Sequence, residues 1–166
     1  MLNNEAILSR INENYGSEVL NSEENFGILT IEIKAEKNHE IIRWLNRDEV
    51  LACSFLTLLG GVHYPDDKGR EFAVVYHLHS WTNNFRLRLK VFLPIENPSI
   101  RSIVDIYNGA NWMERETYDF FGINFEGHPD LRRILNMDSM DYFPMRKEHV
   151  LEDATREDKD DRFFGR

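Results

Sequence analysis

The stretch on which the fold turns is Glu71-Phe72-Ala73-Val74-Val75-Tyr76-His77-Leu78-His79-Ser80, followed by Trp81-Thr82-Asn83-Asn84 and then Phe85-Arg86-Leu87-Arg88-Leu89-Lys90-Val91-Phe92-Leu93. Polar and apolar residues alternate in both arms. That period of two belongs to strands with one buried face. Asparagine tolerates positive φ, so Asn83-Asn84 can serve as the two central residues of a hairpin turn. Thr82 then faces Phe85, and Leu78, Tyr76 and Val74 face Leu89, Val91 and Leu93. The second face sets His79 against Arg88 and His77 against Lys90. A slip of one residue would mix the two sets, so the alternation pins which side is core.

Working outward, Phe26–Lys34 alternates in the same way, with Leu29, Ile31 and Ile33 on one side. Phe55–Val62 is a β-leaning apolar run that ends near Gly60-Gly61. Tyr64-Pro65-Asp66-Asp67-Lys68-Gly69 is a turn by composition. Helical spacing is present at residues 2–14, through Leu2, Ala6, Ile7 and Ile11, and at His39–Asp48, through Ile41, Ile42, Trp44 and Leu45. After Pro94, Ile100, Ile103, Val104 and Tyr107 suggest a helical segment with Ser99 as its cap. Trp112, Met113, Thr117, Phe120 and Phe121 predict the apolar side of a further helix, which Gly122 is placed to end. Pro129–Leu135 reads as a short helix with proline in its first position. Met137–Val150 reads as extended chain. The expected class is α/β: a single mixed, largely antiparallel sheet of about four strands flanked by helices, with an extended C-terminal segment. One domain is expected over residues 1–150, followed by a charged tail over residues 151–166, mobile in isolation.

The chain has 166 residues, 42% hydrophobic and 30% charged, enough for a sizeable core. Its 29 Asp and Glu outweigh its 20 Lys and Arg, for a net charge of -9. That balance repels a phosphate backbone and argues against nucleic acid and against free-standing adsorption to anionic lipid. Cys53 is the only cysteine. It can form no internal disulfide, no four-cysteine iron–sulfur site and no zinc site of cysteine pairs. The first residues lack a basic region followed by an apolar run, and the uncharged stretch Val50–Val62 is too short and mixed to span a bilayer.

Chemistry-bearing patterns are sparse. Gly60-Gly61 lacks the third glycine and the following helix of a nucleotide cradle, and reads as a strand end or bulge. His77 and His79 share a strand face, but the expected cationic neighbours disfavour a metal ion between them. Glu114, Arg115, Glu116 and Asp119 crowd one helix. Glu114 and Glu116, two residues apart, diverge, and Arg115 and Asp119 are spaced for a modest i, i+4 ion pair on a wet face. Residues 127–149 differ in character. They hold four basic and four acidic residues, net zero, with Arg132-Arg133 and Arg146-Lys147 set among Ile134, Leu135, Met137, Met140, Tyr142, Phe143 and Met145. Arginine, aromatic and methionine content without periodicity is interface composition. Such a segment either wraps a partner or folds back on its own sheet, and composition leaves both open.

The run Asn108-Gly109-Ala110-Asn111-Trp112-Met113-Glu114-Arg115-Glu116-Thr117-Tyr118-Asp119-Phe120-Phe121-Gly122-Ile123, continued by Asn124-Phe125-Glu126-Gly127-His128-Pro129-Asp130-Leu131-Arg132-Arg133-Ile134-Leu135, resembles almost letter for letter the 30 kDa subunit, also called the C subunit, of the respiratory NADH:quinone oxidoreductases (complex I). Phe55-Leu56-Thr57, Tyr64-Pro65, Val74-Val75-Tyr76-His77-Leu78 and Arg86-Leu87-Arg88-Leu89-Lys90-Val91 resemble the same family, so the similarity covers residues 26–150. A closing Gly-His-Pro-Leu-Arg-Lys-Asp-like run reads Tyr142-Phe143-Pro144-Met145-Arg146-Lys147-Glu148 here: proline, arginine and lysine remain, and Gly-His is replaced.

The resemblance implies a non-redox brace in the peripheral arm of a proton-translocating NADH:quinone oxidoreductase, with no catalytic residue, metal or cofactor of its own. FMN, iron–sulfur clusters and quinone then belong to partner subunits. The implied partners are the quinone-pocket subunit and the iron–sulfur subunits, with the membrane reached only through the complex, on the cytoplasmic side of a bacterial cell membrane. It further implies that Glu114, Arg115, Glu116, Asp119, His128, Asp130, Arg132 and Arg133, with Arg146 and Lys147, fasten the helix-to-tail junction and meet partner subunits. Changing Arg132 and Arg133 together is expected to spare the isolated fold and weaken assembly. The alternatives are the same brace in a membrane-bound hydrogenase or another donor-linked quinone reductase, and an independent acid–base enzyme built on Glu116, Asp119 and His128.

Overall fold

In the computed structural model, residues 2–149 are described. The elements in chain order are α1 (Asn4–Tyr15), β1 (Val19–Asn25), β2 (Ile28–Ile33), α2 (Asn38–Arg47), β3 (Phe55–His63), β4 (Phe72–Ser80), β5 (Phe85–Leu93), β6 (Ser99–Arg101), α3 (Ala110–Phe121) and β7 (Asn124–Glu126). The class is the expected α/β. A mixed five-stranded sheet has the order β1-β2-β5-β4-β3, and β6 and β7 form a second, two-stranded sheet. Within the large sheet β2 and β5 run parallel, and every other neighbouring pair is antiparallel. The chain between β2 and β5 contains α2 and the β3–β4 hairpin, long enough for the crossover that a parallel pair requires.

The β4–β5 hairpin keeps the expected faces but not the expected pairs. Leu78 lies opposite Leu87, Tyr76 opposite Leu89, Val74 opposite Val91 and Phe72 opposite Leu93. On the outward face His77 meets Arg88 and His79 meets Arg86. The whole ladder is displaced by two residues because the strands stop at Ser80 and Phe85 and all four residues from Trp81 to Asn84 form the connection. Asn84 supplies the positive φ of 49°, and Asn83 reaches across to the Val50 carbonyl at 2.7 Å. A displacement of two leaves every side chain on its own face, so the core is unaffected.

The inward row of the sheet, including Ile31, Leu59, Val74, Tyr76, Leu87 and Leu89, is fully buried or nearly so. Ile7 and Ile11 of α1 and Ile41, Ile42 and Leu45 of α2 belong to the same core cluster. Asn3 caps α1 by accepting the Ala6 N–H at 2.9 Å. The outward row is half-buried or exposed along most of β4 and β5.

Several local expectations are corrected. β1 is an additional strand whose residues beyond Val19 are all exposed, so it carries no alternation to read. Ser99 begins the short strand β6, not a helix. Gly60-Gly61 lies within β3, whose irregularity falls between Leu56 and Leu58. A Cβ on Gly61 would sit 2.6 Å from the Phe121 ring, so glycine here lets α3 approach β3. Residues 129–135 form no helix, and residues 137–149 form successive turns, such as Met140 N–H to Met137 O and Arg146 N–H to Phe143 O. The charged tail over residues 151–166 lies outside the described residues, as does Val150.

Candidate functional site

The junction between α3 and the following segment is built on one carboxylate. Asp119 is fully buried. Its Oδ2 accepts the backbone N–H groups of Ile134, Leu135 and Asn136 at 3.0, 2.7 and 3.0 Å. Its Oδ1 accepts from the Asn136 amide at 3.0 Å and from Arg133 at 2.9 Å. Burial alone pushes a carboxyl upward, but the N–H donors of Asn136, Leu135 and Ile134 and the Asn136 amide outweigh it and hold Asp119 well below the usual carboxylate range. The three N–H groups that a helix at 129–135 would have left to its own carbonyls go to this carboxylate. That is why the expected helix does not form.

Arg133 spreads its guanidinium over the same junction. One terminal nitrogen donates to Asp119 Oδ1 and to the Asp119 carbonyl, and the other to the carbonyls of Met140 and Tyr142, all at 2.9–3.0 Å. The group also lies over the Phe143 ring, 4.9 Å from its centre. Its side chain is 10% exposed, against 69% for Arg132, which pairs with Asp130 at 3.0 Å. The two adjacent arginines therefore differ in role. Arg133 fastens the chain to itself, which corrects the expectation that both could be removed without harm to the fold. Arg132 stands at the surface.

The last turn of α3 is completed from outside the helix. Gly122, in the left-handed conformation at φ 74°, returns its N–H to Tyr118 O at 2.8 Å. Asp119 O accepts from Arg133 at 3.0 Å, Phe120 O from the Met145 N–H at 3.2 Å and Phe121 O from Arg146 Nε at 2.8 Å. Four carbonyls that a helix end leaves open are thus satisfied, three of them by residues 133–146. Two arginines at this end also suit the negative pole of the helix. Phe143 packs over Gly122, where a Cβ would meet its ring at 2.5 Å. Arg146 lies between the Phe72 and Phe143 rings at 5.0 and 4.8 Å. The Lys147 N–H donates to His63 Nδ1 at 2.9 Å, and the His63 ring stacks on Phe72 at 4.7 Å. Of the two options composition left open, the segment folds back on its own domain.

Residues 128–149 thus form a strap over the end of α3, and the remaining residues of the expected set are distributed around it. Glu114 is buried and accepts from Ser102 Oγ at 2.7 Å and the Ile103 N–H at 2.8 Å, pinning α3 to the chain after β6. Burial pushes its carboxyl up to about 7, against the lowering effect of those two donors. Arg115 is buried as well. It turns to the Arg132 carbonyl at 3.4 Å and lies 4.8 Å from the Trp112 ring, so the expected ion pair with Asp119 is not made. Three of the four charged residues of α3 are therefore inside, while Trp112, expected on the apolar side, is 62% exposed. His128 Nδ1 accepts the Asp130 N–H at 3.0 Å, which places its hydrogen on Nε2, 3.1 Å from the Asn111 carbonyl. Glu116 and Lys147 are exposed. Asp119 is taken up by Arg133 and residues 134–136 and His128 by Asn111 and Asp130, and no hydrogen bond or ion pair joins Glu116, Asp119 and His128, so the acid–base constellation is not assembled. Asn136 and His63 join the junction without any local sequence pattern that marks them.

Outside the strap's clamped side, Leu135, Met137, Tyr142 and Met145 are exposed, with Met137 at 69%. Cys53 is buried, and that burial pushes its thiol up to about 12, so it remains protonated. Among the described residues, no helix is long and apolar enough to cross a membrane.

The family model for the 30 kDa subunit of respiratory-chain NADH dehydrogenase matches residues 31–155. The chain is similar to the NADH-quinone oxidoreductase C subunit of Streptomyces coelicolor, at 47% identity over 125 residues that make up 75% of this chain and 50% of the relative. It is also similar to the C subunit of a Roseiflexus species, at 42% identity over 149 residues, 89% of this chain and 84% of the relative. Among solved structures it is similar to a trypsin-resistant fragment of Nqo5, with a TM-score of 0.65 and 33% identity, covering 76% of this chain and 98% of the fragment. A chain of an archaeal membrane-bound sulfane sulfur reductase shares the fold, at TM-score 0.71 and 22% identity over 89% of this chain and 85% of that one. The chain spans about half the length of the Streptomyces, Nocardioides and Mycolicibacterium relatives it matches. By the extent of the family match and these identities, the chain belongs to the 30 kDa subunit family of respiratory-chain NADH dehydrogenases.

Proposed function

We propose that the chain is a non-redox structural subunit of the peripheral arm of a proton-translocating NADH:quinone oxidoreductase, held on the cytoplasmic side of a bacterial cell membrane by its partners. In this reading electrons pass from NADH through FMN and iron–sulfur clusters to quinone, all bound by neighbouring subunits. The quinone-pocket subunit and the iron–sulfur subunits are the expected contacts. The observation that carries the reading is the strap of residues 128–149. Its inner side is fixed by Asp119, Arg133 and Arg146, and its outer side presents Leu135, Met137, Tyr142 and Met145. A rigid backing with exposed apolar and aromatic residues suits an obligate contact, which buries on the order of 2,000 Å² or more. Glu116, Asp130, Arg132 and Lys147 at the surface supply polar contacts around it.

The test is affinity purification of the tagged full chain from native membranes, with mass identification of what accompanies it. Flavin- and cluster-bearing proteins in fixed ratio are the expected result. The chain produced alone should be colourless. Flavin or cluster absorbance stoichiometric with the lone chain, or recovery from membranes without partners, would overturn the reading.

A further inference from the structure

The outward face of the large sheet takes no part in the strap. Along β5 it presents Arg86, Arg88 and Lys90 at alternate positions, and β4 sets His79, His77 and Val75 beside them in register. The chain as a whole is acidic, yet among the described residues none of these three cations has a carboxylate within ion-pair distance. Glu32 is the cross-strand neighbour of Lys90, but Arg70 takes both its oxygens at 2.9 and 3.1 Å.

Arg88 is aimed by neutral groups. Its Nε lies 3.3 Å from His77 Nε2 and one terminal nitrogen lies 3.4 Å from Thr30 Oγ1. Burial, and then the charges of Arg88 and Arg86, depress the His77 imidazole and keep it a neutral acceptor. The guanidinium is thus oriented while its charge stays uncompensated, so meeting an anion costs little further ordering. Lys90 rests near the Tyr64 and Phe92 rings, at 5.8 and 5.6 Å. At the Arg86 end Trp81 and Phe55 are exposed and in contact, with ring centres 5.7 Å apart.

Alternate strand positions recur every ~7 Å, so the three charges form a row about 13 Å long. Carboxylates at i, i+2 of a strand or i, i+4 of a helix repeat at nearly that distance. An extended polyanion fits poorly, because exposed Glu23 on β1, opposite Thr30, shares the face to one side of the row and the chain is negative overall. We propose that this sheet face docks a carboxylate-bearing polypeptide segment of a partner subunit. Arg86, Arg88 and Lys90 pair with its carboxylates, and Phe55 and Trp81 cover an apolar residue at one end. The proposal rests on the reading of the chain as a subunit of a larger complex and adds a second contact surface, separate from the strap.

The experiment uses the full chain assembled in its complex. A photo-crosslinking phenylalanine at position 86 should capture a peptide carrying two or more Asp or Glu within a few residues. The triple variant Arg86→Glu, Arg88→Glu, Lys90→Glu should lower partner recovery by about tenfold or more, the triple glutamine variant by less, and added salt should weaken the wild type further. Should the reversal variant unfold, the glutamine variant and the crosslink decide. A folded glutamine variant with wild-type recovery and no crosslinked acidic peptide would overturn the proposal, as would crosslinks only to lipid or nucleic acid. Leu135→Asp with Met137→Asp probes the strap separately. If that pair loses partners while the cation variants do not, the docking face is wrong and the subunit reading stands. If the wild type itself recovers no partner, the subunit reading fails first.

Discussion

Replacing Asp119 by alanine removes the acceptor for three backbone N–H groups, the Asn136 amide and one branch of Arg133 at once. Hydrogen bonds to a charged group contribute about 1.5–3 kcal/mol each but do not add, and breaking a buried pair by removing one partner costs about 3–5 kcal/mol. Taking about 4 kcal/mol, and a Tm change of ~2–4 °C per kcal/mol for a domain of this size, Tm should fall by about 8–16 °C. Urea unfolding and a thermal scan of the isolated chain measure this. Limited trypsin digestion adds a local readout, since Arg132, Arg133 and Arg146 lie on the strap that the carboxylate secures. Asp119→Asn keeps one acceptor oxygen and should lose less. The pH dependence has a definite sign. A carboxyl held below its unfolded value of 3.8 contributes fully above that pH and loses its contribution as pH falls from there through its folded value. The Asp119→Ala deficit should therefore be constant from about pH 5 to 7 and shrink only in stronger acid. A Tm within ~2 °C of wild type, with unchanged trypsin protection, would refute the reasoning.

Four further outcomes are expected. Arg133→Ala should destabilise the lone chain by about 2–4 kcal/mol, whereas Arg132→Ala should leave it within ~0.5 kcal/mol, as read by urea midpoints. Gly61→Ala should cost about 1–3 kcal/mol through the Phe121 ring, while Gly60→Ala, with open space around its Cβ, should be neutral or slightly stabilising. Gly122→Ala combines a positive φ with the Phe143 ring and should be worse than Gly61→Ala in the same assay. Glu114 titrates higher folded than unfolded, so its contribution is full below 4.5 and is lost as pH rises through about 7. Glu114→Gln should flatten the decline of Tm over that window, and an unchanged slope would show that other groups set it.

The elements legible in the sequence are those whose signal is local. β2, β4, β5 and α2 each bury one stripe at its own period, and Gly122 marks the end of α3 without reference to anything distant. β1 is silent because an edge strand exposed on both faces has no alternation. The hairpin ladder is displaced because a two-residue and a four-residue connection preserve the same faces; Asn84 takes a positive φ but Asn83 does not, so the pair is not the two-residue turn that needs both, and pairing already stops at Ser80 and Phe85. Ser99 and Ile100 suggest a helix because Ile103, Val104 and Tyr107 fall at helical intervals; the partner that makes β6 a strand, β7, lies beyond α3. The candidate junction is the least legible. Asp119 meets Arg133 and residues 134–136 through tertiary geometry, and a charged residue at an outward-looking helical position gives no sign that it is fully buried. The family resemblance draws attention to Asp119 and Arg133 together, but not to the difference between Arg132 and Arg133, which only burial reveals.

Because the final turn of α3 is closed by donors supplied from residues 133 to 146, the helix cannot reach its finished state during synthesis until those residues have left the ribosome. The order is temporal as well as spatial: the sheet can collapse early, but the surface offered by Leu135, Met137 and Met145 acquires its shape only when the helix end is closed. In the proposed reading, a partner that docks on this surface meets it only once the domain is whole, a checkpoint written in chain order.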